Sequence, residues 1–200
     1  MDTTGKLLDM KCLVLCGNAG AGKDTVANYV RDYLGESDIG SVKFSKSLKL
    51  ACAAIYHWDY NMLDFWEYKE ECDPVQGVPR RQLLKQWGMI GREVDPNTWV
   101  DSALAEAKAN ALYHQAFIAT DCRFANEQEG LEYTFGSTLF VRLHKRELSK
   151  RCPEITQSCH PSEDLSDLTF NMEFTVETGD FDELRRIARY LAEGFFHDLR

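Results

Sequence analysis

Gly17-Asn18-Ala19-Gly20-Ala21-Gly22-Lys23-Asp24-Thr25 follows directly on the apolar run Cys12-Leu13-Val14-Leu15-Cys16. Small residues at Gly17, Ala19, Gly20, Ala21 and Gly22 let the backbone wrap closely around a polyphosphate with its N–H groups turned inward. Lys23 then offers a point charge to the outer phosphates. Val26, Ala27, Val30, Tyr33 and Leu34 recur at helical spacing, so the loop is expected between a buried strand and a helix N-terminus, where the dipole favours anions. The phosphate-loop pattern G-x-x-x-x-G-K-[ST] is met except at its last position, which is Asp24, with the hydroxyl one residue later at Thr25. A hydroxyl is a neutral ligand for Mg²⁺, whereas a carboxylate is an anionic one, or a base beside a transferring phosphoryl group.

The 200 residues are 44% apolar, enough for a real core, and a single domain is expected. A net charge of −9 argues against a surface for long nucleic acid, which needs a stripe of Lys and Arg; a nucleotide pocket needs only a few local cations. No apolar run approaches the ~20 residues of a membrane span, and the first ten residues lack the core of a signal peptide. A cytoplasmic protein without membrane contact is expected. The seven cysteines form no C-x-x-C pair and several lie in apolar runs, so they read as reduced, mostly buried thiols. Cys152, Cys159 and His160 lack a fourth zinc ligand at recognisable spacing.

Beyond the first helix, Gly35 suits a C-terminal cap and Ser41–Phe44 reads as a short strand. A helix is expected from about Lys46 to Trp58, with Leu48, Ala51, Cys52 and Ile55 inward. The acidic group Asp64, Glu67, Glu70, Glu71 and Asp73 reads as a solvated face, and Pro74–Pro79 as a loop. From Arg80 the stripe Leu83, Leu84, Trp87, Ile90 and Val94 predicts another helix. Asp95-Pro96 opens the next, which runs to about Tyr113. Ala116-Phe117-Ile118-Ala119-Thr120 is an apolar run ending in Asp121, as when a buried parallel strand delivers a carboxylate to the C-terminal edge of a sheet, the logic of a Walker B strand. Arg123 follows, then a helix to about Thr134 and a strand over Thr138–Leu143. Alternation from Phe170 to Val176 predicts a half-exposed strand, and Asp180 with Glu183 a capping box for the last helix. Strands separated by long helical runs make this an α/β chain with a mostly parallel sheet. Five of the ten residues from Arg142 to Arg151 are basic, and 144–165 reads either as a solvated loop or as a mobile cover bringing cations over the phosphates.

Taken together, these patches resemble the deoxynucleoside monophosphate kinases of tailed bacteriophages, a branch of the P-loop kinases related to phosphomevalonate kinase. The likeness is carried by G-K-D-T-V-A at Gly22–Ala27, F-S-K-S-L-K at Phe44–Lys49, P-R-R-Q-L-L-K-Q-W-G at Pro79–Gly88 and T-D-C-R-F-A-N-E at Thr120–Glu127. H-P-S-E at His160–Glu163 and T-G-D-F-D-E-L at the start of the last helix extend it. The resemblance implies a P-loop NTPase of the nucleoside-monophosphate-kinase-like three-layer type with about five strands, using ATP and Mg²⁺. It implies that the loop Gly17, Asn18, Ala19, Gly20, Ala21 and Gly22, with Lys23, holds the ATP phosphates. Asp24, Thr25 and Asp121 would serve Mg²⁺, and Lys23, Asp121 and Arg123 the reacting phosphates. Arg80 and Arg81 would grip the acceptor monophosphate within a region of about 45–113, near Lys46 and Lys49. Independently of the resemblance, the aromatics Phe44, Trp58, Trp66 and Trp87 are candidates to stack on the acceptor base or else core residues. Phosphoryl transfer asks for such cations, because two polyanions must meet. Members of the family form homodimers.

One departure stands out. The family often carries Lys or Arg inside the loop where this chain has Ala19-Gly20-Ala21, so the missing charge must come from elsewhere, with Lys145, Arg146 and Arg151 the candidates. The donor site is therefore expected to include Arg146. Phosphoryl transfer to another small-molecule phosphate, or a nucleotide-binding regulatory role without turnover, remain open as alternatives.

Overall fold

A computed structural model describes residues 7–35, 38–146 and 164–199. The run Cys12–Cys16 forms the inner half of strand β1 (Leu7–Cys16) and is withdrawn from solvent on both faces, which is why it reads as continuously apolar. With a side-chain period of two, Leu13 and Leu15 point to one face and Cys12, Val14 and Cys16 to the other. Four more strands join it: β2 (Ile39–Val42), β3 (Ala116–Ala119), β4 (Phe135–Arg146) and β5 (Met172–Glu177). They form a five-stranded sheet in the order β2-β3-β1-β4-β5, every neighbouring pair parallel. The chain is thus an α/β protein with a parallel sheet.

Helices α1 (Lys23–Leu34) and α7 (Phe181–Phe195) lie side by side on the Leu13 and Leu15 face. Val26, Ala27 and Val30 of the first and Leu184, Ile187, Ala188 and Leu191 of the second share one core with Ile118, Val141 and Leu143. Each buried Val, Leu or Ile side chain among them contributes about 1.5–3 kcal/mol. The opposite face is covered by α6 (Ala125–Thr134), which packs against β4 and β1, and by the ring contact of Phe117 with Phe135. This is a three-layer arrangement.

The chain divides into two compact units, Met1–Lys43 with Leu104–Arg200, and Phe44–Ala103. The second is helical: α2 (Ser45–Tyr56), α3 (Trp66–Glu70), α4 (Arg80–Val94) and the first part of α5 (Thr98–Asn110), with a 3₁₀ turn at Tyr60–Asp64. Its core gathers Cys52, Trp58, Leu63, Leu83 and Leu84, with Tyr56, Tyr68 and Trp87 partly buried against it. The helices match the expected stripes only in part. On α2 Cys52 is buried while Ala51 and Ile55 are exposed, and on α4 Ile90 and Val94 are exposed.

The described cysteines are free thiols; burial pushes Cys52 up to about 11 and Cys12 further. Cys152, Cys159, His160, Glu163 and Arg151, with most of the expected cover, lie outside the described residues.

Asp73 corrects the expectation of a solvated acidic face, being only 3% exposed. It caps the 73–79 loop by accepting from Val75 N (3.0 Å) and Gln76 N (2.8 Å), and it accepts the Trp58 indole N–H at 2.7 Å. A buried charge persists only with such partners. The Trp58 bond, then the backbone N–H of Gln76, holds the carboxyl below the usual carboxylate range. Because the folded carboxyl titrates below its unfolded value of about 3.9, its stabilisation is fully present above that pH and is lost as pH falls through the folded value. All four tryptophans lie between residues 44 and 103, so their fluorescence reports this unit. Asp73→Asn is therefore expected to lower the unit's stability near neutral pH, with the gap to wild type closing as pH drops below about 4 in denaturant titrations followed by tryptophan emission.

Candidate phosphate-binding site

The loop after β1 takes its shape from three glycines with positive φ: Gly17 (140°), Gly20 (74°) and Gly22 (88°). At two of them no side chain would fit. A Cβ on Gly17 would overlap the carbonyl oxygen of Leu143, and one on Gly22 would stand 2.7 Å from Cδ2 of Leu184. The left-handed backbone and the tight walls of β4 and α7 therefore both demand glycine. Ala21 N donates to Asn18 O (3.2 Å), and the first helical bond runs from Val26 N to Gly22 O (2.9 Å). The N–H groups of the first turn of α1 accordingly have no partner within the helix and, with the dipole, favour an anion.

Lys23 opens α1 and folds back over the loop, its Nζ donating to Gly17 O (2.7 Å) and Asn18 O (2.9 Å). Burial, then the nearby Arg123 guanidinium, holds its ammonium below the usual lysine value, against the opposing pull of Asp24, Cys16 and Asp121. The structure thus brings Lys23, Asp24, Asp121 and Arg123 into one electrostatic neighbourhood. Asp24 Oδ1 accepts from Thr120 Oγ1 at 2.8 Å, joining the start of α1 to the end of β3. Beside them, Cys16 Sγ donates to Cys122 O (3.7 Å). Glu127, 1% exposed, accepts from the backbone N–H of Arg123 (2.7 Å) and Phe124 (3.2 Å) and sets the path of the chain after β3.

The strand order explains where a ligand can enter. From β1 the chain moves toward β2 at one edge, and from β4 toward β5 at the other, so the C-terminal ends of β1 and β4 form the switch point at which parallel sheets open a crevice. A cavity of about 220 Å³ lies there, lined by Gly17, Asn18, Ala19 and Arg142–Lys145. A second, of about 310 Å³, is lined by Gly20–Thr25, Lys145, Glu177, Thr178, Gly179 and Phe181. Sequence reasoning left Thr178, Gly179 and Phe181 out of the site, although T-G-D-F at the head of α7 was the available signal, a glycine turn followed by an aromatic that the structure leaves 57% exposed. Arg146 lines neither cavity.

Oxygen donors suited to Mg²⁺ are present in Asp24, Thr25 and Asp121. Magnesium is held by one or two carboxylates together with substrate phosphates and water, so this set fits it without a cage of protein ligands. Among the described residues no cluster of three His, Cys, Asp or Glu side chains could hold a metal by itself. No helix among them is long and apolar enough to cross a membrane.

The remaining expected residues belong to the helical unit. Phe44 is buried, Lys46 is half-buried, and Lys49 pairs with Asp64 at 2.6 Å. Trp87 Nε1 donates to Tyr56 Oη (2.8 Å). Arg80 is almost fully buried, stacked 3.9 Å over the Tyr68 ring, donating to Tyr68 O (2.9 Å) and Glu71 (3.0 Å), with its Nε lacking a partner. Arg81, more exposed, is bonded to Glu70.

No family model and no curated protein matches the chain. Among solved structures, it is similar to an unliganded sugar kinase from Janibacter sp. HTCC2649 at 17% identity, over 95% of each chain, with a TM-score of 0.43. A likeness at that level says nothing of what this chain does.

Proposed function

We propose that this protein transfers a phosphoryl group from ATP to a deoxynucleoside 5′-monophosphate, giving the diphosphate. The observation that carries the reading is the left-handed glycine loop closed by Lys23, with Asp24 tied to the end of β3 and Asp121 and Arg123 beside it. In this reading residues 1–200 form one P-loop kinase domain, with about 45–113 binding the acceptor and 144–165 covering the donor. Lys23 exchanges its bonds to Gly17 O and Asn18 O for phosphate oxygens, regaining in charge interaction what burial withholds from it in the ligand-free loop. Magnesium, when bound at Asp24, Thr25 and Asp121, would neutralise charge between the outer phosphates. Arg123 would supply a further cation to the transferring group, and the Glu127 bonds to the 123 and 124 amides hold its backbone in place.

Of the two arginines expected at the acceptor, Arg81 is the better suited to a solvent-borne anion. Arg80 is committed to Tyr68 and Glu71 inside the unit, whereas Arg81 faces one carboxylate, Glu70, which an acceptor phosphate can displace. A planar guanidinium engages two phosphate oxygens at once.

The deciding experiment is ADP release from ATP and Mg²⁺ with dTMP, dGMP, dCMP, dAMP, the ribonucleotides and phosphomevalonate offered separately. Stimulation by deoxynucleotides is expected; stimulation by phosphomevalonate alone, or by nothing despite ATP binding, overturns the reading. Lys23→Met and Asp121→Asn should each lower turnover by about 10²-fold or more while the thermal transition stays close to wild type; unchanged kcat in either removes that residue from the site. Arg81→Ala should raise the acceptor KM about tenfold with ATP use unaffected. Arg80→Ala should instead lower the tryptophan-reported stability, since it removes a buried, stacked and ion-paired side chain.

A further inference from the structure

The loop interior Ala19-Gly20-Ala21 carries no charge, yet a polyphosphate brings several. We infer that Lys145, at the end of β4, is the second cation of the donor polyphosphate site, acting across the glycine loop in place of a charge within it. The inference rests on the reading of Gly17–Thr25 as the donor site and identifies a phosphate-binding residue there.

Three observations carry it. First, the register pairs Cys16 of β1 with Arg142 of β4, so β4 continues for four residues after β1 has ended and runs alongside the loop. Its Leu143 carbonyl walls Gly17, and the period of two sends Lys145 to the same face as Leu143, the face that carries α1. Arg142, His144 and Arg146 take the other face. Arg142 stacks on Phe170 (5.2 Å) and His144 bonds Glu173 (2.5 Å). Second, Lys145 Nζ stands 3.7 Å from the position a Cβ would take on Gly20, and Lys145 lines both cavities beside the loop. Third, its ammonium has no hydrogen-bond or ion-pair partner among the described residues, in contrast to the pairings of Lys11, Lys23, Lys49, Arg80 and Arg81.

Charge balance points the same way. The charged side chains lining the larger cavity are Lys23, Asp24, Lys145 and Glu177, which cancel. Without Lys145 the cavity would be net negative and would repel the ligand its backbone is shaped to hold. Gly20 needs its glycine for the left-handed backbone (φ 74°), and Lys145 Nζ lies at ordinary contact distance from it.

Isothermal titration of inorganic tripolyphosphate and of ATP, each with Mg²⁺, into wild type, Lys145→Ala, Lys145→Arg and Lys23→Met tests the inference. The expected result is weakening of both ligands by about 10- to 100-fold in Lys145→Ala, with substantial recovery in Lys145→Arg, at an unchanged melting temperature, since Lys145 is exposed. Wild-type affinity for both ligands in Lys145→Ala, alongside a loss in Lys23→Met, overturns the role of Lys145 and leaves the donor site standing. Failure of the wild type to bind either ligand, or binding indifferent to Lys23→Met, overturns the donor site itself and the inference with it.

Discussion

A loop wraps an anion with converging N–H groups where left-handed residues turn the backbone, conformations that glycine adopts most readily. In this chain that preference is enforced from outside as well as within. Gly17 is pressed by the Leu143 carbonyl of β4 and Gly22 by the Leu184 side chain of α7. The loop is therefore not an independent turn but the meeting point of β1, α1, β4 and α7. Its geometry depends on the shared core of Leu13, Val26, Leu143 and Leu184, which holds those four elements in register. Damage to that core would reach the site without touching a polar residue.

Electrostatics at the site is a matter of a few local cations in an acidic chain. Lys23 is held partly out of water, and burial and the Arg123 guanidinium disfavour its ammonium. Asp24 sits beside it at the place of the usual hydroxyl, kept in position by Thr120. On the proposed reading the pairing suits a centre that receives both phosphate and a divalent cation, since positive and negative groups already stand side by side.

Buried carboxylates do the positioning. Glu127 accepts two backbone N–H groups just after β3, and Asp73 accepts two backbone N–H groups and an indole in the helical unit. Each spends its charge on main-chain donors that would otherwise lack partners, which is the condition under which a carboxylate can be buried. In the helical unit Arg80 stacks on Tyr68 and pairs with Glu71, tying the start of α4 to α3 and the residue after it.

The sequence by itself determined the elements whose causes are local: the buried strand before the glycine loop, α1 after it, the apolar strand that ends before Asp121, α4 beginning at Arg80, and the Asp180 cap, whose carboxylate accepts the Glu183 N–H. Period, loop chemistry and capping act between near neighbours and are legible without knowing what lies across the sheet. Four matters were decided only in three dimensions. Asp73 looked solvated in an acidic stretch but is buried, because Trp58, distant in sequence, supplies a donor. The inward face of α2 turned out to be Cys52 with Leu48, Ala53 and Tyr56, leaving Ala51 and Ile55 exposed, because it is set by where α4 and the 3₁₀ turn pack. The T-G-D-F turn became part of the site when β5 was laid beside β4. Lys145 rather than Arg146 faces the loop, because strand register, shifted by a single residue, exchanges one face of the sheet for the other.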